Sequence, residues 1–107
     1  MGPQGQFVGP VPGKYAVDVS IQGLQAAVGT ARDRAKEILS QLEGVGHPQT
    51  NQSSSLYLAL VSIQKRLKAD TPNIHQIRAE LEQLVTLCDG KLTAVRPLLE
   101  EAVRNAR

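Results

Sequence analysis

The sequence is poor in cysteine, which cross-links small proteins, and in aromatic residues, which often fill their cores. Of its 107 residues one is cysteine, none is tryptophan, and aromatic residues make up 3%. A single cysteine excludes an internal disulfide framework. A core without aromatic bulk must be built from leucine, isoleucine, valine and alanine, which favours helices packed on helices. A chain of this length forms one domain at most.

Long apolar runs are also missing. No run approaches the ~18 residues that a membrane-spanning helix needs, and the N-terminus lacks the basic start and apolar block of a signal peptide. We therefore expect a soluble chain with no membrane partner. Glycine and proline are concentrated at irregular spacing in residues 1–13, where they disfavour a helix. This predicts a flexible N-terminal arm over residues 1–17 and a helical domain over residues 18–107.

The helical domain shows apolar residues three and four positions apart, the spacing of a helix with one buried face. A first helix should end at Gly44, Gly46 and Pro48. A second should follow the polar loop HPQTNQSSS, whose serines offer an N-cap. The apolar positions are Leu24, Val28, Ala31, Ala35, Ile38 and Leu42 in the first helix and Leu56, Leu60, Ile63 and Leu67 in the second.

A third helix is predicted to begin at Thr71-Pro72, with Thr71 as the N-cap and Pro72 in the first turn. The helix is expected to loosen at Asp89-Gly90. Pro97 removes a backbone hydrogen bond, so we expect a kink or break near residues 95–97 and then a short last helix. Cys88 is expected to be a small buried hydrophobe. It continues the apolar stripe of Ile74, Ile77, Leu81 and Leu84.

The resulting fold class is all-α, a bundle of three to four helices. The second and third helices, joined by a short turn, should form an antiparallel hairpin. Few helices with aliphatic stripes leave apolar surface uncovered, so we expect homodimerisation to complete the core.

Residue types that carry chemistry are sparse. His47 lies in a Gly/Pro loop and His75 at a helix start, and neither has metal-ligand spacing to another residue. No phosphate-binding glycine loop is present, because the Gly-Pro arm lacks the flanking strand and helix. The sequence predicts no enzyme, no catalytic residues, no metal, no cofactor and no small-molecule substrate.

Basic residues carry what functional signal there is. The net charge of +2 permits an anionic partner without requiring one. Charges in residues 32–37 alternate in sign and are typical of a solvated face. Lys65, Arg66 and Lys68 form a run with no acid until Asp70. Either the helix dipole favours them near a C-terminus, or they belong to a phosphate-binding surface.

Three further cations, Arg78, Lys91 and Arg96, are widely spaced. On one continuous helix with ~1.5 Å rise they would span on the order of 27 Å. An A-form RNA duplex presents two minor grooves with phosphates between them over about 16 base pairs. Cations spaced along a helical surface suit such a target, although many bundle helices would fit as well.

The order of short signals in the last third of the chain resembles the small RNA-silencing suppressor proteins of insect nodaviruses. That family has an Asp-x-Pro-Asn turn, a helix of aliphatic, arginine, acidic and leucine residues, and Lys-Leu-Thr followed shortly by arginine. The matching segments here are DTPN at 70–73, IRAELEQL at 77–84, KLT at 91–93 and Arg96. Asp89-Gly90 replaces a further basic residue of the family, and Pro97 interrupts its long helix.

The resemblance implies an all-helical homodimer that binds double-stranded RNA without regard to sequence and suppresses RNA interference in the host cytoplasm. It implies that Arg78, Gln83, Lys91 and Arg96 face RNA. With the second-helix run, the candidate RNA-binding residues are Lys65, Arg66, Lys68, Arg78, Gln83, Lys91 and Arg96.

A helical protein–protein interaction module, such as an adaptor or a chaperone cofactor, is the alternative. The position of the basic residues distinguishes the two hypotheses. RNA binding requires them on one face of the dimer, and a scattered arrangement favours the adaptor.

Overall fold

The computed structural model describes residues 11–107, with side chains from residue 21 onward. Over these residues the chain is mostly helical and contains no strand, which confirms the all-α class. The helices are α1 (Val11–Val45), α2 (Thr50–Arg66), α3 (Ile74–Val85), a 3-10 helix (Gly90–Val95) and α4 (Arg96–Asn105).

One apolar core joins the helices, and it contains the stripes that the spacing predicts. Every predicted apolar position of the first two helices is at most 8% exposed, and Cys88 is fully buried. Ile74 is the exception, because it is only half-buried at the start of α3. The 3-10 helix, α4 and the residue after it complete the core with Leu92, Val95, Leu99, Ala102 and Ala106.

Helix α1 packs against both α2 and α4. Within α1, close to the first residues whose side chains are described, the Gln25 amide donates a hydrogen bond to the carbonyl of Leu67, which follows α2. Gly23 lies beside the side chain of Asn105, the last residue of α4. The C-terminal ends of α2 and α4 therefore both lie beside residues 23–25 of α1, and both helices run antiparallel to α1.

Helices α2 and α3 run in opposite directions, and long polar side chains connect them. Near the start of α2, the Gln52 amide donates to the Leu87 carbonyl, just beyond α3, over 2.6 Å. At the end of α2, Arg66 pairs with Glu80 of α3. The closer backbone contacts of α3 are with α4.

The helix starts differ from the sequence-based expectations. α1 begins at Val11, before the predicted boundary at residue 18, since Pro12 is tolerated in a first turn. The first ten residues of the predicted arm lie outside the described residues. α2 begins at Thr50 with Gln49 in the N-cap position, so the prediction of a serine N-cap was wrong. The Thr50 hydroxyl donates a hydrogen bond to the His47 carbonyl. Ser53 is instead fully buried.

The third helix also begins later than predicted. Asn73, rather than Thr71, is the N-cap of α3, and its side chain accepts a hydrogen bond from the Gln76 backbone N–H at 3.1 Å. Pro72 precedes the helix and is not in its first turn. An asparagine carbonyl reaches the free N–H groups of the first turn as well as a threonine hydroxyl does.

The long final helix is interrupted well before Pro97. α3 ends at Val85, and Gly90 has a φ of +53°, a left-handed conformation that glycine adopts without strain. The 3-10 helix then leads into α4 at Arg96. Pro97 lies in the first turn of α4, where its missing N–H leaves no intrahelical bond unmade.

Candidate nucleic-acid interface

Two lysines lie exposed at the end of α2. Lys65 is in the last turn of the helix and Lys68 is in the turn that leads to α3. Neither ammonium group forms an ion pair within the described part of the chain. Both charges are therefore available to an anionic partner.

Arg66, between these lysines, is engaged within the chain. Its guanidinium forms a two-point ion pair with the Glu80 carboxylate, one contact being Nη1 to Oε2 at 2.8 Å. The hydrogen bonds from Arg66 hold the pKa of Glu80 below its usual range, and they raise the pKa of Arg66 in turn. A planar fork already matched to one carboxylate is not free to clamp a phosphate.

Arg78 and Gln83 lie on the exposed surface of α3. Arg78 Nε is 3.8 Å from a carboxylate oxygen of Glu82, one turn further along the helix. Such exposed pairs are weak and screened by salt, so Arg78 remains able to change partners. The Gln83 backbone carbonyl accepts a hydrogen bond from the Thr86 hydroxyl over 2.6 Å, which helps to end the helix.

Lys91 and Arg96 lie at the other end of α2, near its first turn. The Lys91 backbone N–H donates to Oε1 of Gln49 at 2.8 Å, while the lysine is exposed and unpaired among residues 21–107. Arg96 Nη2 donates to the Cys88 carbonyl at 2.5 Å. This contact satisfies a carbonyl just beyond α3, so Arg96 has a structural partner.

A network of amides holds this end of the structure together, and sequence reasoning missed it. The Gln49 amide donates to the Asp89 carbonyl and carboxylate at 3.1 and 3.0 Å. Gln52 donates to the same carboxylate at 2.8 Å. Gly90 next to Asp89 was the one signal of a turn here, and nothing in the sequence indicated the distant glutamines as its partners.

Five of the candidates thus form two groups at opposite ends of α2, while Arg78 and Gln83 lie on α3. From Gln49 to Lys65 the chain advances 16 helical positions, or about 24 Å at ~1.5 Å each. Arg78, Lys91 and Arg96 do not share one continuous helix, since α3, the 3-10 helix and α4 are separate elements. Within the chain, the structure does not bring the seven candidates together.

Cys88 and the histidines show no arrangement typical of a reactive or metal site. Burial raises the pKa of the Cys88 thiol to about 11, which keeps it protonated at neutral pH. His47 Nδ1 accepts a hydrogen bond from the Gln49 backbone N–H at 3.0 Å. Across residues whose side chains are described, no three His, Cys, Asp or Glu residues are grouped to bind a metal.

No helix in the described residues has the length and apolar character needed to cross a bilayer. None of the family models, curated proteins or solved structures compared with the chain matches it.

Proposed function

We propose that this chain is a non-enzymatic, homodimeric protein that binds double-stranded RNA without sequence preference. By occupying the duplex, it would suppress RNA interference in the cytoplasm of a host cell. The observation that carries the proposal is the position of Lys65, Lys68 and Lys91, exposed and unpaired within the described chain, at the two ends of α2.

The separation of these lysines suits a duplex better than a single strand. About 24 Å of helix lies between the two groups. Successive minor grooves of A-form RNA and the phosphates between them recur on a similar scale along one face of a duplex. A rigid helical body can contact phosphates at both ends at once, whereas a flexible single strand offers no fixed spacing.

For this function the proposed fold is an antiparallel four-helix bundle, and a second copy of the chain covers apolar surface that one copy leaves exposed. In this arrangement α2 and α3 form the hairpin, and the pair between Arg66 and Glu80 fixes their alignment. Arg66 and Arg96 stabilise the fold through their contacts with Glu80 and the Cys88 carbonyl. Lys65, Lys68 and Lys91 contact phosphates. Arg78 and Gln83 lie on exposed α3 and contribute secondary contacts.

An adaptor function is the second candidate, and a groove between α3 and α4 favours it. Val85 and Val103 line this groove together with Glu82, Glu100 and Arg104. An apolar floor with acidic side chains fits an amphipathic helix carrying basic residues. The division of the candidate cations between two ends also favours this function.

A binding comparison with three nucleic acids distinguishes the candidates. The full chain is titrated against a duplex RNA of about 20 base pairs, long enough for the roughly 16 base pairs that such proteins span, and against duplex DNA and single-stranded RNA of the same sequence. Duplex RNA should bind most tightly, since a surface that reads A-form shape discriminates against B-form DNA. Equal or absent binding to all three would favour the adaptor.

A further inference from the structure

Helices α3 and α4 form a groove on the outside of the bundle. The two helices are antiparallel, because α4 runs in the same direction as α2 and α3 runs opposite to α2. Val85 of α3 and Val103 of α4 line the groove, and both pack against the core but remain only half-buried. Apolar side chains between two helices form the kind of surface on which an amphipathic helix lays its apolar face.

Acidic side chains flank these valines on both helices. Glu82 of α3 and Glu100 of α4 line the groove and are exposed. Arg78 Nε lies 3.8 Å from the Glu82 carboxylate, which is too far for a hydrogen bond, so this pair is weak. Glu100 forms no ion pair with any residue whose side chain is described. Two carboxylates therefore line the groove, although the net charge of the chain is positive.

Arg104 is the cation among the lining residues, and its charge is directed to another carboxylate. It follows Glu100 by four positions, the spacing and order at which a glutamate and an arginine pair well on a helix. In the structure, Arg104 Nη2 instead lies 2.6 Å from Oε1 of Glu101, whose carboxylate also accepts a hydrogen bond from Asn105. The hydrogen bond from Arg104 lowers the pKa of Glu101. Glu101 thus holds the arginine and leaves Glu100 without a counter-charge.

We infer that this groove binds an amphipathic helix of a partner protein, with the apolar stripe of that helix on the two valines and its lysine or arginine side chains paired with Glu82 and Glu100. Basic residues are needed on both sides of the stripe, because one carboxylate lies on each helix of the groove. The site is additional to the proposed RNA binding and does not depend on it. Lys65, Lys68 and Lys91 do not line the groove, so the two sites use different residues.

Charge distinguishes this partner from other ligands. A phosphate or an acidic helix would meet Glu82 and Glu100, and like charges in contact oppose association. An uncharged apolar helix would remove water from these carboxylates without providing a counter-charge, which costs free energy. A helix that carries basic residues beside its apolar stripe covers the valines and neutralises both carboxylates.

Two labelled model peptides test this charge preference. Each is an amphipathic helix of about 18 residues, long enough to form a helix, with the same leucine stripe. One peptide has lysine and the other has glutamate at the positions that flank the stripe. Fluorescence anisotropy measures the affinity of the full chain for each peptide at low salt and without RNA. The lysine peptide should bind about tenfold more tightly or better. Equal affinities would overturn the inference.

Substitutions at Glu100 test whether the groove is the binding site. Glu100→Gln should weaken binding of the lysine peptide by up to about fivefold, the loss expected for one exposed ion pair. Glu100→Lys should reverse the preference in favour of the glutamate peptide. Glu43→Gln is the matched control, because Glu43 is also exposed and unpaired among the described side chains but lies on α1. Equal weakening by Glu43→Gln, or a Glu100→Lys variant that still prefers the lysine peptide, would overturn the inference.

Glu101→Gln tests the role of Arg104. It should free Arg104 to pair with Glu100 and so weaken binding of the lysine peptide, although Glu101 itself does not line the groove. Adding Arg104→Ala should restore the affinity, because the competing cation is then absent. A loss that persists in the double variant would place the peptide on Glu101, outside the groove, and contradict the inference.

The apolar floor is tested by Val103→Ser, with Val61→Ser as the control, because Val61 is also a half-buried valine but lies on α2. Val103→Ser should weaken binding of both peptides at unchanged helical content, and Val61→Ser should not. A Val103→Ser variant that loses dimerisation in sedimentation would show that a second copy occupies the groove, which would refute the inference. Wild-type protein that binds the lysine peptide as expected but binds no duplex RNA would refute the proposed function and leave this site standing.

Discussion

Arg66, the last residue of α2, holds the Glu80 carboxylate of α3 in a two-point ion pair across the surface between the helices. Close backbone contacts join α3 to α4 rather than to α2, so this pair and the amide network at the opposite end are the main polar links between α2 and α3. From the sequence, Arg66 was a candidate ligand for nucleic acid. In the structure it links two helices of the chain.

Glu80→Gln should lower the free energy of unfolding by up to about 1 kcal/mol at pH 7, because more than a third of each side chain is exposed and water screens the pair. The folded-state pKa of Glu80 is lowered, so the wild-type advantage is present above the ordinary glutamate pKa and disappears as pH falls through the lowered value. Urea unfolding at neutral and acid pH measures this difference.

Glu82→Gln is the control for that substitution. The Glu82 carboxylate lies 3.8 Å from Arg78 within α3 and links no helices. Its replacement should have the smaller effect at pH 7. A pH-independent difference between wild type and Glu80→Gln would show that the ion pair contributes no stability.

Gly90→Ala should destabilise the fold more than Gly46→Ala. Both glycines have positive φ, so each substitution introduces backbone strain of roughly 1 kcal/mol. A Cβ at Gly90 would also lie 2.5 Å from Oε1 of Gln49, whereas a Cβ at Gly46 meets nothing within 4 Å. Thermal or urea unfolding of the two variants measures the difference.

The excess cost at Gly90 should come from the displaced Gln49 side chain, which would lose its hydrogen bonds to Asp89 and Lys91. Gly90→Ala in a Gln49→Ala background should therefore cost about as much as Gly46→Ala. Equal destabilisation by Gly90→Ala and Gly46→Ala with Gln49 present would contradict the role assigned to the amide network.

Periodicity predicted the buried side of each helix because burial of an aliphatic stripe depends on local spacing alone. Leu24, Leu60 and Leu81 are all buried as expected. Asp89-Gly90 indicated locally that the helix loosens, but the end of α3 at Val85 was not predicted, because the turn is held by Gln49 and Gln52, which are distant in sequence. Likewise, no local pattern shows whether an arginine faces water or a carboxylate from another helix.

Cys88→Ser should cost about 1–2 kcal/mol, because it places a hydroxyl in an apolar site where the thiol is fully buried. With its pKa raised to about 11, the Cys88 thiol should resist alkylation in the folded protein at pH 8 and react once urea unfolds the chain. Mass spectrometry after iodoacetamide treatment measures both states. Rapid labelling of folded protein would contradict the burial of this residue.

Leu81→Ala should destabilise the protein by about 2–5 kcal/mol, since Leu81 is fully buried between the helices and a cavity would remain. Leu87→Ala, at a leucine that is 37% exposed, should cost much less. Leu84→Lys should abolish the fold, because it buries an unpaired charge. Urea unfolding and circular dichroism measure these losses, and a folded Leu84→Lys variant would show that α3 packs by another face.

The most direct test of RNA binding is the salt dependence of affinity for two unrelated duplex RNAs, measured for Lys65→Ala, Lys68→Ala and Lys91→Ala. Lys36→Ala is the control, because Lys36 is exposed and unpaired within the described side chains but lies on α1. Each of the three variants should weaken binding to both duplexes alike. Each should also reduce the magnitude of the slope of log affinity against log salt by about one or more, because a lost phosphate contact means that one fewer counterion leaves the RNA on binding. Lys36→Ala should leave affinity and slope near wild type. Unchanged affinity and slope in all three variants would contradict the proposal that these lysines bind duplex RNA.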